Sequence, residues 1–264
     1  MKKSILFAAL CCATMLFAAC EKSEPQNNEQ DQTEELENKN DSINTSDDKN
    51  DITISGTIDG HDYVDLGLPS GTKWATCNIG ATKPEDCGDY YAWGEVTTKT
   101  LYCWSNYKYA NGYYALIKYC YESGYGNNGF TDELTTLEAA DDAAIQNWGG
   151  NWRMPTIDEW EELRDYCDYT WTTRNNVNGC EIKAKNGNFI FLPAAGYHSY
   201  KEYDMGTYDY LYYMGTEGDY WSKSLGYCNS SAEAEYLEFN DYSAITPAAG
   251  MSRHSGLSIR PVCK

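Results

Sequence analysis

Helical periodicity appears in only two stretches of this 264-residue chain, and both are short. The first, TLEAADDAAIQNW from Thr136 to Trp148, is alanine-rich and runs into Gly149-Gly150, a helix stop. The second lies in GNWRMPTIDEWEEL, from Gly150 to Leu163, where four carboxylates and an arginine stand beside two indoles. That density suits an active site or the start of a capped helix. Thr156-Ile-Asp-Glu159 fits a capping box, in which the threonine hydroxyl and the glutamate satisfy each other's backbone amides. Asp158 and Glu159 then occupy the first turn, where the helix dipole favours negative charge, and Trp160 falls on the core face. Glu161 and Arg164 form a surface i,i+3 pair. The helix start therefore accounts for every carboxylate.

The remaining elements read as short strands between turns. Ile52 to Ile58 alternates and is followed by Asp59-Gly60, a hairpin signal. Further strands are expected at Tyr63–Leu66, Lys73–Cys77, Asn188–Pro193, Tyr220–Ser224, Ala234–Phe239 and Gly256–Val262. The Tyr/Gly/Asn-rich stretch from Asp89 to Gly129 reads as loops and short strands. The expected fold is α+β and loop-rich, with two short helices and many short antiparallel strands, over a domain spanning 52–264.

A net charge of −20 argues against a nucleic-acid partner, which needs a basic face. Three histidines leave little room for an imidazole-rich metal site. The outlier is tyrosine, with 24 residues. Seven of them fall within 197–213 among Gly206, Glu202, Asp204 and Asp209, a composition like that of antibody binding loops. Tyrosines packing on one another with their hydroxyls in water explain the same composition equally well.

The N-terminus reads Met1-Lys2-Lys3-Ser4, then the apolar run ILFAALCCATMLFAA, then Cys20. This predicts a signal peptide over 1–19, too short to span a membrane comfortably. Leu16-Phe-Ala-Ala-Cys20 resembles a bacterial lipobox, with phenylalanine where leucine is usual, which implies lipidation of Cys20 and a membrane anchor. Residues 21–51 carry eleven acidic side chains against three lysines, with Leu36 and Ile43 as the only large aliphatics. Such a segment is expected to be a disordered tether reaching about 30 Å. Asp41-Ser42-Ile43 resembles the O-glycosylation motif of secreted Bacteroidota proteins, placing a sugar on Ser42. Glu21 and Glu24 resemble the surface-export signals of lipoproteins from that phylum. Of eleven cysteines, Cys77, Cys87, Cys103, Cys120, Cys167, Cys180, Cys228 and Cys263 remain beyond the anchor. An oxidising envelope permits disulfides among them, and buried free thiols are the alternative. The absence of a Cys-x-x-Cys pair argues against zinc ribbons and thioredoxin-like sites.

Five blocks occur together in a known order: VDLGLPSGTKWATCNIGATKPEDCGDYYAWGE (64–95), DDAAIQNWGGNWRMPTIDEWEEL, FLPAAGY (191–197), YWSKS (220–224) and GLSIRPVC (256–263). Together they resemble the Fibrobacter succinogenes major paralogous domain as it occurs in Bacteroidota lipoproteins, over nearly all of 62–264. More distantly the Arg-x-Pro-Thr helix start and terminal Arg-Pro-Val are similar to the formylglycine-generating branch of the C-type-lectin fold. The resemblance implies a mixed domain whose first and last strands pair, with irregular loops on one exposed face. Pairing of the terminal strands would make Cys77 and Cys263 disulfide neighbours, and Arg253 and His254 would belong to the exposed ligand-facing surface. The oxidase activity of that branch needs two closely placed C-terminal cysteines, whereas Cys228 and Cys263 are thirty-five positions apart. Calcium-dependent sugar binding needs a Glu-Pro-Asn-type loop that is missing, and Phe239-Asn-Asp241 reads as a turn. The expectation is a non-enzymatic binding protein with no catalytic residue, metal or cofactor, lipid-anchored in the outer membrane and facing outward. Its ligand, a glycan or a protein, would be met by Tyr208, Tyr210, Tyr212, Tyr242, Arg253 and His254. An envelope assembly component and a formylglycine-generating-type oxidase are the alternatives.

Overall fold

The computed structural model describes residues 51–112, 114–225, 230–243 and 245–264. The expected signal peptide, Cys20, Ser42 and all of the tether except Asp51 lie outside the described residues, as does Cys228. Asp59 and Gly60 turn the chain with φ of 48° and 84°, the left-handed pair that a two-residue hairpin requires. They join strand β1 (Gly56–Ile58) to β2 (His61–Asp65), which pairs in turn with β3 (Lys73–Ala75). From Asp89 to Gly129 the described residues form no strand, only isolated bridges and two single-turn 3₁₀ helices. The short strands expected there are absent.

The two helices lie where the periodicity placed them, the first shorter than expected. Helix α1 covers only Ala143–Trp148, because the buried Asp142 caps it by accepting from the amides of Ala144 and Ile145. Helix α2 (Ile157–Tyr166) has both halves of the capping box, and Trp160 is fully buried. Glu159 does more than cap. It takes a two-pronged ion pair from Arg153 at 2.5 and 2.6 Å and a hydrogen bond from the Thr72 hydroxyl. Glu162 accepts from the Ser70 amide and hydroxyl. The carboxylates of this helix fix the chain around its start, and Arg164–Glu161 is an exposed pair at 3.7 Å.

After α2 the chain makes strands expected near 188–193, 220–224 and 234–239, and others at 167–174, 177–184, 197–203, 206–212 and 246–252 that the sequence reading missed. β4 (Cys167–Arg174) and β5 (Val177–Ala184) form a hairpin through Asn175 and Asn176, both left-handed at φ 47° and 65°. β6 (Phe189–Pro193) completes that sheet. β7 (Tyr197–Tyr203) and β8 (Gly206–Tyr212) form a two-stranded hairpin where loops were expected. β9 (Glu217–Trp221), β10 (Glu233–Asn240) and β11 (Thr246–Ser252) make a third sheet in the order β11-β10-β9. The last strand, β12, is only Val262–Cys263 and pairs with β3, so the two ends of the domain share one four-stranded sheet.

The β9–β10 pair separates two aromatic cores. Tyr220, Leu237 and Phe239 join Trp74, Trp160, Ile182 and Leu192 on one side. Trp221, Ala234 and Tyr236 join Trp93, Tyr107 and Tyr119 on the other. Apolar residues on both faces of Tyr220–Trp221 and Tyr236–Leu237 make this stretch of the strands interior. The second core explains the Asp89–Gly129 segment. Lacking a strand ladder, it is pinned by tyrosines that bury their rings and donate to backbone: Tyr90 to Ala195, Tyr102 to Tyr90, Tyr107 to Trp93. Arg253 completes this arrangement. It is fully buried, donates to the Tyr107 hydroxyl and to the carbonyls of Tyr119, Ser231 and Lys118, and stacks on Trp93. His254 is buried beside Trp104 and Tyr200. The expectation that Arg253 and His254 face a ligand is therefore corrected. Irregular backbone leaves carbonyls without partners, and a buried guanidinium supplies several donors at once.

The Cys77–Cys263 pairing is also corrected. Both are free thiols, as is every described cysteine. Cys263 stands opposite Lys73, and Ala75 donates to Pro261, so Cys77 lies beyond the strand end. Cys77 is four positions along the chain from Lys73, the residue facing Cys263, whereas a bridge needs the two Cα atoms within about 7 Å.

Candidate functional site

The hairpin of β7 and β8 divides its side chains by register. Residues directly opposite share a face, so Tyr197/Tyr212, Ser199/Tyr210, Lys201/Tyr208 and Tyr203/Gly206 line one side. His198/Leu211, Tyr200/Asp209 and Glu202/Thr207 line the other. The second side holds the hairpin to the domain. His198 bonds the Asp209 carboxylate between Tyr90 and Tyr102, Tyr102 donates its amide to the same carboxylate, and Tyr200 packs on His254.

The first side is an open aromatic ladder. Tyr203 meets Tyr208 and Tyr210 at 5.9 and 6.5 Å, Tyr210 meets Tyr212 at 6.1 Å, and Tyr212 stacks on Tyr197 at 5.4 Å. Lys201 lies over Tyr210 and Tyr212 at 5.5 and 5.4 Å. Tyr203, Tyr208 and Tyr210 are exposed, as are Met205, Tyr213 and Met214 around the ladder. Stacked rings cost little conformational entropy to present, and each offers a flat apolar face with a polar edge. The tyrosine surplus thus splits in two: the rings of 90–119 are largely core, and those of 203–213 are surface.

The ladder's lower end opens onto a cleft of about 350 Å³ lined by Trp171, Asn178, Tyr213, Gly215, Thr216, Glu217, Asn240, Asp241 and Tyr242. Tyr242, chosen from sequence apart from the others, is brought to this cleft at 93% exposure. Asn240 makes the expected turn, its side-chain oxygen accepting from the amides of Tyr242 and Ser243 and from the Ser243 hydroxyl. Tyr208, Tyr210, Tyr212 and Tyr242 therefore lie on or beside this surface, whereas Arg253 and His254 are inside the protein.

The sequence reading took Tyr203 and Tyr213 only as part of the 197–213 tyrosine cluster, and it missed Trp171 and a carboxylate group of which Glu217 lines the cleft. Glu217 and Asp219 alternate on β9, and Glu238 stands directly opposite Asp219 on β10. One oxygen from each of the three lies within 4.8 Å of the others, a set able to hold a metal ion. Asp219 is fully buried, and among the described residues no N–H or hydroxyl group donates to its oxygens, which lie within hydrogen-bond reach of the Glu217 carboxyl. Burial, reinforced by Glu217 and Glu238, pushes its carboxyl up to about 8. Burial and Glu238 raise Glu217 as well. The Tyr236 hydroxyl donates to Glu238 at 2.8 Å.

In comparisons with known proteins, no family model, curated protein or solved structure matches this chain.

Proposed function

We propose that this chain is a lipid-anchored surface protein of the outer membrane whose C-type-lectin-like domain, of the Fibrobacter succinogenes major paralogous type, binds an extended glycan without catalysing a reaction. The observation that carries this reading is the tyrosine ladder. Seven-residue strands give it a length of about 20 Å, enough to run along several sugar units. Sugar rings present apolar faces that stack on aromatic rings, and the tyrosine hydroxyls and Lys201 supply polar edges for orientation. The cleft beyond Tyr213 extends the same surface.

The test is a glycan array with the purified 51–264 domain, with and without chelator. Binding that survives chelation is expected. The double variant Tyr210→Ala/Tyr212→Ala should weaken it at least about tenfold, since each lost stacking partner is worth about 0.5–1.5 kcal/mol. Unchanged binding by that variant removes the ladder from the account, and a blank array replaces the glycan with a protein partner. The anchor is tested separately. Cys20→Ser is expected to move the protein from the membrane fraction to the soluble fraction, and retention in the membrane fraction would refute lipidation at Cys20.

A further inference from the structure

The face of β9 and β10 that carries Trp221 and Tyr236 into the core ends in acid. Moving outward from the Trp221/Tyr236 pair, the next rung is Asp219/Glu238, and the one after it is Glu217/Asn240. Cross-strand carboxylates repel when both are ionised, and Asp219 lies with no exposed surface at all. A buried carboxylate in proteins is ordinarily held by donors or by a cation. Here, among the described residues, no N–H or hydroxyl group donates to either oxygen of Asp219, and its neighbour within hydrogen-bond reach is the Glu217 carboxyl. Among the described residues, no lysine, arginine or histidine forms an ion pair with Glu217, Asp219 or Glu238. Three carboxyl groups converge, with one oxygen of each within 4.8 Å of the others.

We propose that Glu217, Asp219 and Glu238 bind a hard divalent cation of the calcium class. The donor set is oxygen only, which excludes the soft metals that prefer thiolate and imidazole. Calcium binds oxygen at about 2.3–2.6 Å, so two ligands on opposite sides of one ion stand about 4.6–5.2 Å apart. The three carboxylates, within 4.8 Å of one another, meet that span as they stand. They supply three to six oxygens by single or double coordination, and water from the cleft completes the shell of six to eight. Glu217 lines the cleft, so an ion has a route in, and the Tyr236 hydroxyl fixes the orientation of Glu238 from behind.

The site also lies at the root of the tyrosine hairpin. Gly196, the residue before β7, donates its amide to the carbonyl of Glu217 at 2.8 Å and bridges to Gly218. An ion that ties Glu217 to β10 therefore anchors the point where the ladder joins the domain. The inference does not depend on the glycan reading, because its test uses the metal alone.

Terbium, a trivalent probe of calcium's size that glows when excited through nearby aromatic rings, is titrated into the purified chain, with Tyr236 and Trp221 as the antennae. Calorimetry with CaCl₂ and MgCl₂ is run alongside. Saturable emission that calcium displaces is expected, with one calcium per chain and a rise of several degrees in melting temperature. Asp219→Asn keeps the shape and adds no charge to the cluster, so it should fold, and with one carboxylate ligand gone it should lose at least about tenfold in calcium affinity. Glu133→Gln, a change outside the site, should bind as the parent does. The proposal falls if neither calcium nor magnesium binds, or if Asp219→Asn binds calcium as tightly as the parent. Loss of calcium binding with an intact glycan array would separate the two readings, as would the reverse.

Discussion

Replacing Arg260 with leucine is expected to cost the domain about 4 kcal/mol, enough to leave it marginally folded. Arg260 is fully buried, and among the described residues its guanidinium has no carboxylate partner. It donates to the Asn78 side-chain oxygen at 2.8 Å, to the carbonyls of Ala75 and Thr76 at 3.2 Å each, and to the Phe191 carbonyl at 2.9 Å. Those acceptors come from the end of β3, the loop after it and the middle of β6, so one side chain joins two sheets to the terminal segment. Leucine leaves four buried acceptors short of a donor, each at a penalty of about 1–3 kcal/mol before relaxation. Arg260→Lys keeps the charge but concentrates its donors at one point, which cannot serve acceptors spread around a planar fork. It should fall between the two. Urea unfolding followed by tryptophan fluorescence reads all three proteins. A loss under about 1 kcal/mol for the leucine variant would mean that water or backbone movement replaces the guanidinium.

Arg260 and Arg253 also mark what the sequence withheld. Local signals were legible: the Asp59-Gly60 turn, the capping box at Thr156–Glu159 and the Gly149 stop all act within a few residues and appear as read. The hairpin turn at Asn175-Asn176 carried an equally local signal that went unused, since asparagine tolerates the left-handed region. The ladder was half legible. Tyr208, Tyr210 and Tyr212 alternate, which is strand spacing, but the surrounding glycine and acid read as loop. What no local pattern could give was register. Glu217, Asp219 and Glu238 become a group only because β9 pairs with β10 at Asp219/Glu238, and the Cys77–Cys263 bridge fails because β3 pairs with β12 at Lys73/Cys263. The arginines belong to the same class. An Arg-His beside small residues looks like a polar surface until the irregular 89–129 segment, with its unpaired carbonyls, is wrapped around it.

His254 should make the fold acid-sensitive in a window that phenylalanine at the same position removes. The ring is 5% exposed between Trp104 and Tyr200, and neither nitrogen has a hydrogen-bond partner. Burial, helped by the charge of Lys99, lowers its pKa from 6.5 to about 4. The other ionisable neighbours are the phenol of Tyr200 and, next in the chain, the guanidinium of Arg253, which is turned toward Tyr107, Tyr119 and Ser231. Among the described residues no carboxylate pairs with the ring to hold a proton on it. Above pH 6.5 the imidazole is neutral in both folded and unfolded chains and contributes no pH dependence. As pH falls from 6.5 toward 4, the unfolded chain takes up a proton that the folded one refuses, so stability declines. The full loss, reached below the folded pKa, is about 3 kcal/mol. His254→Phe fits the same aromatic slot and has nothing to protonate. It should match or exceed the parent at pH 7, and its advantage should widen steadily down to pH 4. Urea midpoints measured across that range for both proteins give the difference curve. Every other titrating group, Asp219 included, is common to the pair and cancels, so parallel curves would mean that His254 reaches solvent and protonates as freely in the fold as outside it.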